Sequence, residues 1–226
     1  MTDKAAVLFT GGKDSTRALH LALENGVEVT YLVTMVPRRE DSWMYHTAAL
    51  NVMDLLSEAL GIPLVKRETS GVKEEEVEDM ERVLSQLDVN TVVCGAVASQ
   101  YQRKRVEQVC SKLGLELYAP LWGVDEESYL RELLKLNYEV IFVSVSALGL
   151  GEEWLGRKLD EEVLEKLKKL KQKYGVSLVL EGGEAETLVL DSPIHRKRLV
   201  IEEAVKEWKG RSGVLRIKKA FLTEKQ

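Results

Sequence analysis

Six consecutive residues near the start of the chain combine two glycines with a cation, a carboxylate and two hydroxyls: Thr10, Gly11, Gly12, Lys13, Asp14 and Ser15. The glycines let the backbone approach a phosphate closely, and the N–H groups that open a following helix form an anion nest. Lys13 adds a mobile positive charge, Ser15 a hydroxyl donor, and Asp14 a hard oxygen ligand for Mg²⁺. These residue types predict a phosphate-binding loop.

Two common nucleotide loops are excluded by the spacing. In a Walker A loop the first glycine would fall on Val7, and Lys13 is followed by Asp14 rather than by Ser or Thr. The dinucleotide pattern G-x-G-x-x-G is absent from this loop, and the similar start at Gly149 breaks at Trp154. An ordinary strand-to-helix turn is the alternative interpretation of residues 10–15.

The elements that must position this loop alternate regularly through the first half of the chain. Short apolar runs predict five strands, at 5–9, 27–35, 62–65, 91–94 and 115–118. Helical patterns lie between them, including 47–60 and 99–113. This order predicts an α/β fold with a doubly wound, Rossmann-like parallel sheet of five strands, in which ligands bind beyond the carboxyl ends of the strands near the reversal of strand order.

The regular alternation ends near Pro120, so we predict a domain of residues 1–120 and a smaller α+β domain of residues 121–226. In the second part, patterns predict a helix over 125–136 and a strand over 140–145. An acidic-to-basic helix follows and ends at Gly175. A strand is expected over 176–180.

Composition limits the classes of protein to which the chain can belong. With 226 residues, 45% of them hydrophobic, the chain can bury a sizeable core. The formal charge of −5 disfavours nucleic acid as a partner. The two cysteines cannot form a disulfide framework, no apolar run approaches the ~20 residues of a membrane span, and the N-terminus lacks a signal-peptide layout. We expect a cytoplasmic protein without a membrane partner, and the sequence leaves open whether it is a homo-oligomer.

Residues 10–15 resemble the pyrophosphate loop (S-G-G-x-D-S) of the ATP pyrophosphatases, with Thr10 in place of the first serine. That superfamily, which has the HUP type of Rossmann-like domain, adenylates substrates and releases pyrophosphate. Four further blocks are similar to the diphthine–ammonia ligase family: residues 41–47, 95–107, 151–157 and 181–187. One departure is Ala96, where an acid is expected, which puts a metal or hydroxyl contact from that position in doubt.

The resemblance implies an ATP-dependent amide ligase. Its substrate would be diphthine, a modified histidine of translation elongation factor 2, which becomes diphthamide with ammonium, while ATP becomes AMP and pyrophosphate. Joining a carboxylate to AMP makes a good leaving group that ammonia can displace. Mg²⁺, Lys13 and the loop N–H groups would stabilise the leaving pyrophosphate. Since neither cysteine lies in a nucleophile-like context, free ammonium is the expected nitrogen source.

The resemblance also assigns site residues. Lys13, Asp14 and Ser15 are the expected catalytic residues, Asp14 is the metal ligand, and all of residues 10–15 contact ATP. Further nucleotide contacts are expected from Thr34, His46 and Gly95. We assign to the substrate Arg103, Arg105, Trp154, Glu181, Gly182, Gly183, Glu184, Glu186 and Thr187.

The substrate assignments have a chemical reason. Three carboxylates around a Gly-Gly turn are costly unless a cation or hydrogen bonds compensate them. Diphthine carries a quaternary ammonium, so an acidic and aromatic pocket suits it. Arg103 and Arg105 can clamp a phosphate or a carboxylate. An exposed acidic turn and a solvated helix face are the respective alternatives.

Two other functions compete with the ligase. One is a tRNA-modifying ATP pyrophosphatase of the thiolase or lysidine-forming type, which the net acidity and the lack of a Cys-x-x-Cys pair disfavour. The other is an ATP-binding sensor without turnover, which the intact loop and the second, acid-rich motif disfavour.

Overall fold

The computed structural model describes residues 4–37, 49–70 and 75–225. The strands of these residues are β1 (Lys4–Leu8), β2 (Glu28–Pro37), β3 (Leu64–Thr69), β4 (Thr91–Val93), β5 (Glu116–Tyr118), β6 (Glu139–Val145), β7 (Ala185–Asp191), β8 (Lys197–Trp208) and β9 (Gly213–Glu224). The α-helices are α1 (Lys13–Glu24), α2 (Met53–Leu60), α3 (Glu75–Leu84), α4 (Gln100–Leu113), α5 (Glu126–Lys135) and α6 (Glu161–Tyr174). Short 3-10 helices cover Leu50–Val52 and Glu152–Trp154. Within these ranges no helix is both long and apolar enough to cross a membrane.

The first sheet is parallel throughout, in the order β3-β2-β1-β4-β5, which confirms the predicted five-stranded α/β sheet. At its centre Val7 pairs with Leu32 of β2 and with Val93 of β4. Ala5, Ala6 and Val7 are fully buried, as a strand covered on both faces requires. Strand order reverses between β1 and β4, so their carboxyl ends flank the expected ligand crevice.

Helices cover both faces of this sheet. On one face α1 and α2 contribute Leu19, Met53 and Leu56 to a core cluster with β1 and β2. On the other face α3 and α4 contribute Met80 and Val106 to a second cluster. The buried side chains of these helices therefore face the sheet, and the two layers give the doubly wound arrangement.

The second sheet is antiparallel, in the order β7-β6-β9-β8, and with α5 and α6 it makes the second half an α+β unit as predicted. Its residues Phe142 and Leu188, together with Leu133 of α5, belong to the same core cluster as Leu19 and Met53 of the first half. One hydrophobic core therefore runs across residue 120, and the domain boundary placed there stays a prediction. The shared core fixes β7 against the loop that follows β1.

The prediction of a strand over 176–180 is wrong, because this apolar segment is buried but has no regular secondary structure. Two of its backbone N–H groups donate hydrogen bonds to side-chain carboxylates instead of to a neighbouring strand. Glu126 of α5 accepts hydrogen bonds from the Ser177 hydroxyl and the Leu178 N–H, both at 3.1 Å, and Glu184 accepts one from the Ser177 N–H at 3.1 Å. Burial opposes ionisation of Glu126, but donors that include Lys171 still hold the pKa of Glu126 below its usual range.

Candidate nucleotide site between the two halves of the chain

The loop after β1 opens α1 as the sequence predicts. Gly11 has φ +72°, and a Cβ on it would lie 2.7 Å from Leu56 Cδ1, so glycine is required there. Gly12 is the N-cap of α1 and makes no side-chain capping hydrogen bond. In contrast, the caps of α4, α5 and α6 are side chains that accept a backbone N–H. The Gly12 and Lys13 N–H groups donate to the hydroxyls of Thr10 at 3.4 Å and Thr187 at 3.2 Å, and the positive end of the helix dipole is suited to an anion such as a phosphate.

The two hydroxyls of the loop stabilise its shape from within. Ser15 Oγ accepts a hydrogen bond from the Thr10 N–H and donates one to Gly12 O, each at 3.2 Å. Thr10 Oγ1 lies 3.2 Å from Ser15 Oγ and accepts the Gly12 N–H at 3.4 Å. Both hydroxyls line the cleft described below, so they hold the loop in the form in which it meets a ligand.

Lys13 differs from the expected mobile cation. Its side chain is 3% exposed, and Nζ donates to Asp14 Oδ2 at 2.8 Å and to Val179 O at 2.5 Å. Asp14 Oδ1 in turn accepts a hydrogen bond from the Tyr129 hydroxyl at 2.8 Å. Burial and the adjacent Asp14 charge raise the pKa of Tyr129 well above its usual value, so this hydroxyl remains a donor. The ammonium and the carboxylate are thus held in one orientation.

The end of β4 forms the other wall of the site. Gly95 approaches the loop so closely that a Cβ on it would lie 2.8 Å from Asp14 C and from Ser15 N. Next to it, burial raises the pKa of the Cys94 thiol to about 11. The backbones after β1 and β4 therefore meet at the strand-order reversal.

Glu181 links the second half of the chain to the start of α4. Its Oε1 accepts the Val97 N–H at 2.9 Å, and its Oε2 accepts the N–H groups of Ala98 and Ser99 at 2.6 and 2.8 Å. A carboxylate suits the N-terminal end of a helix, where backbone N–H groups and the helix dipole are positive. Glu181 thereby sets the position of α4 relative to the loop that follows α6.

A cleft of about 810 Å³, counting the open solvent at its mouth, lies among these elements. Its lining combines the loop, the end of β4, the start of α4 and the segment before β7: Leu8, Thr10, Gly12, Lys13, Asp14, Ser15, Cys94, Gly95, Ala96, Gln102, Val106, Leu180, Glu181, Ala185 and Thr187. Both halves of the chain are needed to build it.

The comparisons with known proteins agree with this architecture. The diphthamide synthase N-terminal domain matches residues 3–117, and the diphthamide synthase C-terminal domain matches residues 125–223. The chain belongs to the diphthamide synthase family. The resemblance expected from the loop and the four blocks is thereby confirmed.

Relatives of this family member carry one name. Proteins named diphthine–ammonia ligase from Rattus norvegicus and Homo sapiens are 35% and 34% identical, covering 88% and 89% of this chain and 83% and 84% of their own. One from Schizosaccharomyces pombe is 34% identical over 95% of this chain and 39% of its own length. A solved structure described as a predicted subunit of tRNA methyltransferase from Methanocaldococcus jannaschii covers 84% of this chain and 98% of its own, at 17% identity and a TM-score of 0.46. That likeness is too distant to indicate a function.

Of the sequence-predicted site residues, the structure brings eight into the cleft: Thr10, Gly12, Lys13, Asp14, Ser15, Gly95, Glu181 and Thr187. Thr187 is next to the phosphate loop, because its Oγ1 accepts the Lys13 N–H at 3.2 Å. Gly11 does not line the cleft, and its Cα faces Leu56 of α2. His46 and the rest of the block at 41–47 lie outside the described residues.

The acid-rich turn does not converge on the cleft as expected. Glu184 accepts the N–H of Gly182 in its own turn at 2.6 Å and that of Ser177 in the preceding segment at 3.1 Å, and Gly182 and Gly183 of the turn are exposed. Glu186 lies between two cleft residues of β7, and successive strand side chains point to opposite faces. Of the three carboxylates, only that of Glu181 lines the cleft.

Four other assignments are placed elsewhere by the structure. Thr34 is 2% exposed and donates to Phe9 O at 2.7 Å, so it joins β2 to the end of β1. Trp154 is 4% exposed and packs edge-on against Phe142 at 5.2 Å in the second half. On α4 the guanidinium of Arg103 lies 4.4 Å from the Trp122 ring centroid, and that of Arg105 lies 3.6 Å from the Tyr101 ring. None of these four lines the cleft.

Sequence reasoning missed two polar contributors to the site. Gln102 lines the cleft from the first turn of α4, and Tyr129 reaches Asp14 from α5. Gln102 lies inside the block 95–107, where its polar type and position on α4 are the available signal. Tyr129 occupies a position on the apolar face of α5 beside Leu130 and Leu133, so the pattern marks it as core.

Proposed function

We propose that this chain is an ATP-dependent ligase that joins ammonium to the carboxylate of diphthine on translation elongation factor 2, forming diphthamide, AMP and pyrophosphate. The name diphthine–ammonia ligase, carried by relatives of matching length, supports the reaction. The observation that carries the proposal is the cleft at the strand-order reversal, where α1 begins directly after Gly11 and Gly12. Since the substrate is a translation factor, we propose a cytoplasmic location.

The residues of the loop supply charge stabilisation where the reaction needs it. Activation of the carboxylate by ATP releases pyrophosphate, on which negative charge develops. The positive end of the α1 dipole and the ammonium of Lys13 lie at the cleft. Because Lys13 is held by Asp14 and by Val179 O, this charge is already in place and needs little reorganisation.

The site also fits a magnesium ion that accompanies the triphosphate. Among residues 4–37, 49–70 and 75–225, no group of three or more His, Cys, Asp or Glu side chains could hold a metal by itself. Mg²⁺ does not require one, because it is commonly held by one or two carboxylates together with substrate phosphates. Asp14, with 25% of its side chain exposed and lining the cleft, would provide that carboxylate. The bound ion would neutralise part of the phosphate charge.

Free ammonium is the proposed nitrogen source. Releasing ammonia from glutamine by cysteine catalysis requires an activated thiolate. Burial raises the pKa of both cysteines of the chain, Cys94 and Cys110, to about 11, so neither is activated. In this proposal ammonia enters from solution and displaces AMP from the activated carboxylate.

The test is pyrophosphate release from ATP in the presence of elongation factor 2 that carries diphthine. We expect release to require both the modified factor and ammonium, with one pyrophosphate for each amide detected by mass spectrometry. The control is the unmodified factor, which lacks the acceptor carboxylate. Release stimulated by tRNA alone would instead identify a tRNA-modifying enzyme, and ATP binding without release under any condition would identify a sensor.

A further inference from the structure

Tyr129 contacts the loop of residues 10–15 from a helix that is not part of the phosphate-binding segment. It lies on α5, in the second half of the chain, and its ring is 2% exposed. Its hydroxyl donates to Asp14 Oδ1 at 2.8 Å, while Lys13 Nζ donates to Asp14 Oδ2 at 2.8 Å. Each carboxylate oxygen therefore has its own donor, and the two donors come from different halves of the chain.

Two fixed donors restrict the carboxylate to one orientation. An aspartate at the first turn of a helix, partly exposed, otherwise rotates broadly about its terminal bond. Groups that hydrogen-bond to a metal-binding carboxylate orient it, and their loss commonly weakens metal binding by 10- to 100-fold. Tyr129 is suited to this role, because its buried ring is held within the core cluster.

We propose that Tyr129 is a positioning residue, which orients Asp14 toward the magnesium ion of bound Mg·ATP. The proposal rests on the nucleotide-binding part of the proposed function and is independent of the identity of the acceptor. It makes the phosphate site depend on the second half of the chain. Correct docking of α5 is then a condition for productive binding of the nucleotide.

The docking of α5 does not depend on this hydroxyl. Arg17 of α1 pairs with Glu132 of α5 at 2.6 Å, and Leu130 and Leu133 are fully buried in the core. Asp125 caps the helix by accepting the Ser128 N–H at 2.9 Å. Removing only the hydroxyl, with Tyr129→Phe, should therefore leave the helix in place and release the carboxylate.

A matched control is available in the same core. Tyr138 is also buried, at 4% exposure, and its hydroxyl lies 2.8 Å from His20 Nδ1, away from the cleft-lining residues. Tyr138→Phe removes one buried hydroxyl and its hydrogen bonds, which involve His20, Arg17 and Ser192, without touching Asp14. Differences between the two variants therefore report on Asp14 rather than on a general loss of packing or hydrogen bonding.

The experiment measures binding of α,β-methylene ATP, which cannot release pyrophosphate, by calorimetry at a series of Mg²⁺ concentrations. For Tyr129→Phe we expect half-maximal enhancement of binding to need about ten times more Mg²⁺ than in the wild type. Binding with EDTA should change less than twofold, and Tyr138→Phe should match the wild type. If Asp14→Asn is combined with Tyr129→Phe, the second substitution should add nothing.

Several outcomes would overturn the proposal. An unchanged Mg²⁺ requirement in Tyr129→Phe would do so, as would equal shifts in Tyr129→Phe and Tyr138→Phe, or a wild type whose nucleotide binding ignores Mg²⁺. If diphthine-bearing factor fails to stimulate pyrophosphate release while the Mg²⁺ shift is observed, the ligase assignment fails and the positioning role stands.

Discussion

The approach of Gly95 to the phosphate loop allows a sharp test of the site. The backbone of Gly95 does not adopt a positive φ, so Gly95→Ala introduces no conformational strain of its own. Its only direct effect is a methyl group placed 2.8 Å from Asp14 C and Ser15 N and 2.9 Å from Asp14 O. All three are backbone atoms at the start of α1, which cannot rotate away. The end of β4 and the loop must therefore separate.

The magnitude follows from the cost of overpacking. Forcing an extra methyl into a well-packed contact costs about 1–3 kcal/mol. In the free protein this cost is relieved by opening the gap between β4 and the loop. If the nucleotide requires the closed arrangement, binding must restore the contact, and the dissociation constant rises by roughly five- to 150-fold. The change is expected in nucleotide affinity, because the displaced atoms line the cleft.

Calorimetric titration with α,β-methylene ATP and Mg²⁺ measures this affinity, and thermal unfolding measures stability in parallel. Gly26→Ala is the control: Gly26 has φ +76°, and a Cβ there would meet no atom within 4 Å. Its strain should lower stability by about 1–2 kcal/mol without altering nucleotide binding. A dissociation constant within twofold of the wild type for Gly95→Ala would refute the inference that the nucleotide requires contact between these two backbones.

Three further predictions concern buried groups. Burial lowers the pKa of His195 from 6.5 to about 4, so the unfolded chain binds a proton at His195 more readily than the folded protein does. About 3 kcal/mol of stability should therefore be lost as the pH falls from 6.5 to 4. Denaturant titrations should show a weaker pH dependence of stability for His195→Gln, and a pH dependence equal to that of the wild type would contradict this prediction. Glu181→Gln places an amide against three N–H donors and should lower the free energy of unfolding by about 1–3 kcal/mol in urea titrations, whereas no change would show that α4 is fixed by other contacts. At pH 8 Cys94 and Cys110 should react with a disulfide reagent at least about 100-fold more slowly than free cysteine until the protein unfolds, and a fast native thiol would argue against their burial.

The first sheet could be predicted from the sequence because parallel strands covered on both faces leave a local signal. Ala5, Ala6 and Val7 form an uninterrupted apolar run and are fully buried in β1. The second sheet leaves a weaker local signal in the sequence. In β8 the side chains of Glu202, Glu203 and Lys206 are exposed, so charge dilutes the alternation on which strand prediction depends.

The segment at 176–180 shows why burial and strand structure are separate questions. Its apolar side chains correctly indicate burial, yet the acceptors of the Ser177 and Leu178 N–H groups are carboxylates of Glu184 and Glu126. Glu126 is distant in sequence, on α5, so no local pattern could show it. Strand prediction from periodicity assumes that a neighbouring strand supplies these partners.

The acid-rich turn was the most specific hypothesis about the substrate, and binding of a cationic substrate there stays a prediction. Clustered carboxylates do need compensation, for which the sequence suggests a cationic ligand. The structure supplies compensation for two of them from the backbone: Glu181 accepts three N–H groups before α4, and Glu184 accepts those of Ser177 and Gly182. Such donors are invisible in a sequence, because every residue except proline carries an N–H. Backbone N–H groups therefore already compensate the charges of Glu181 and Glu184 without a ligand, and a cationic group bound at this turn would be an additional partner of these carboxylates.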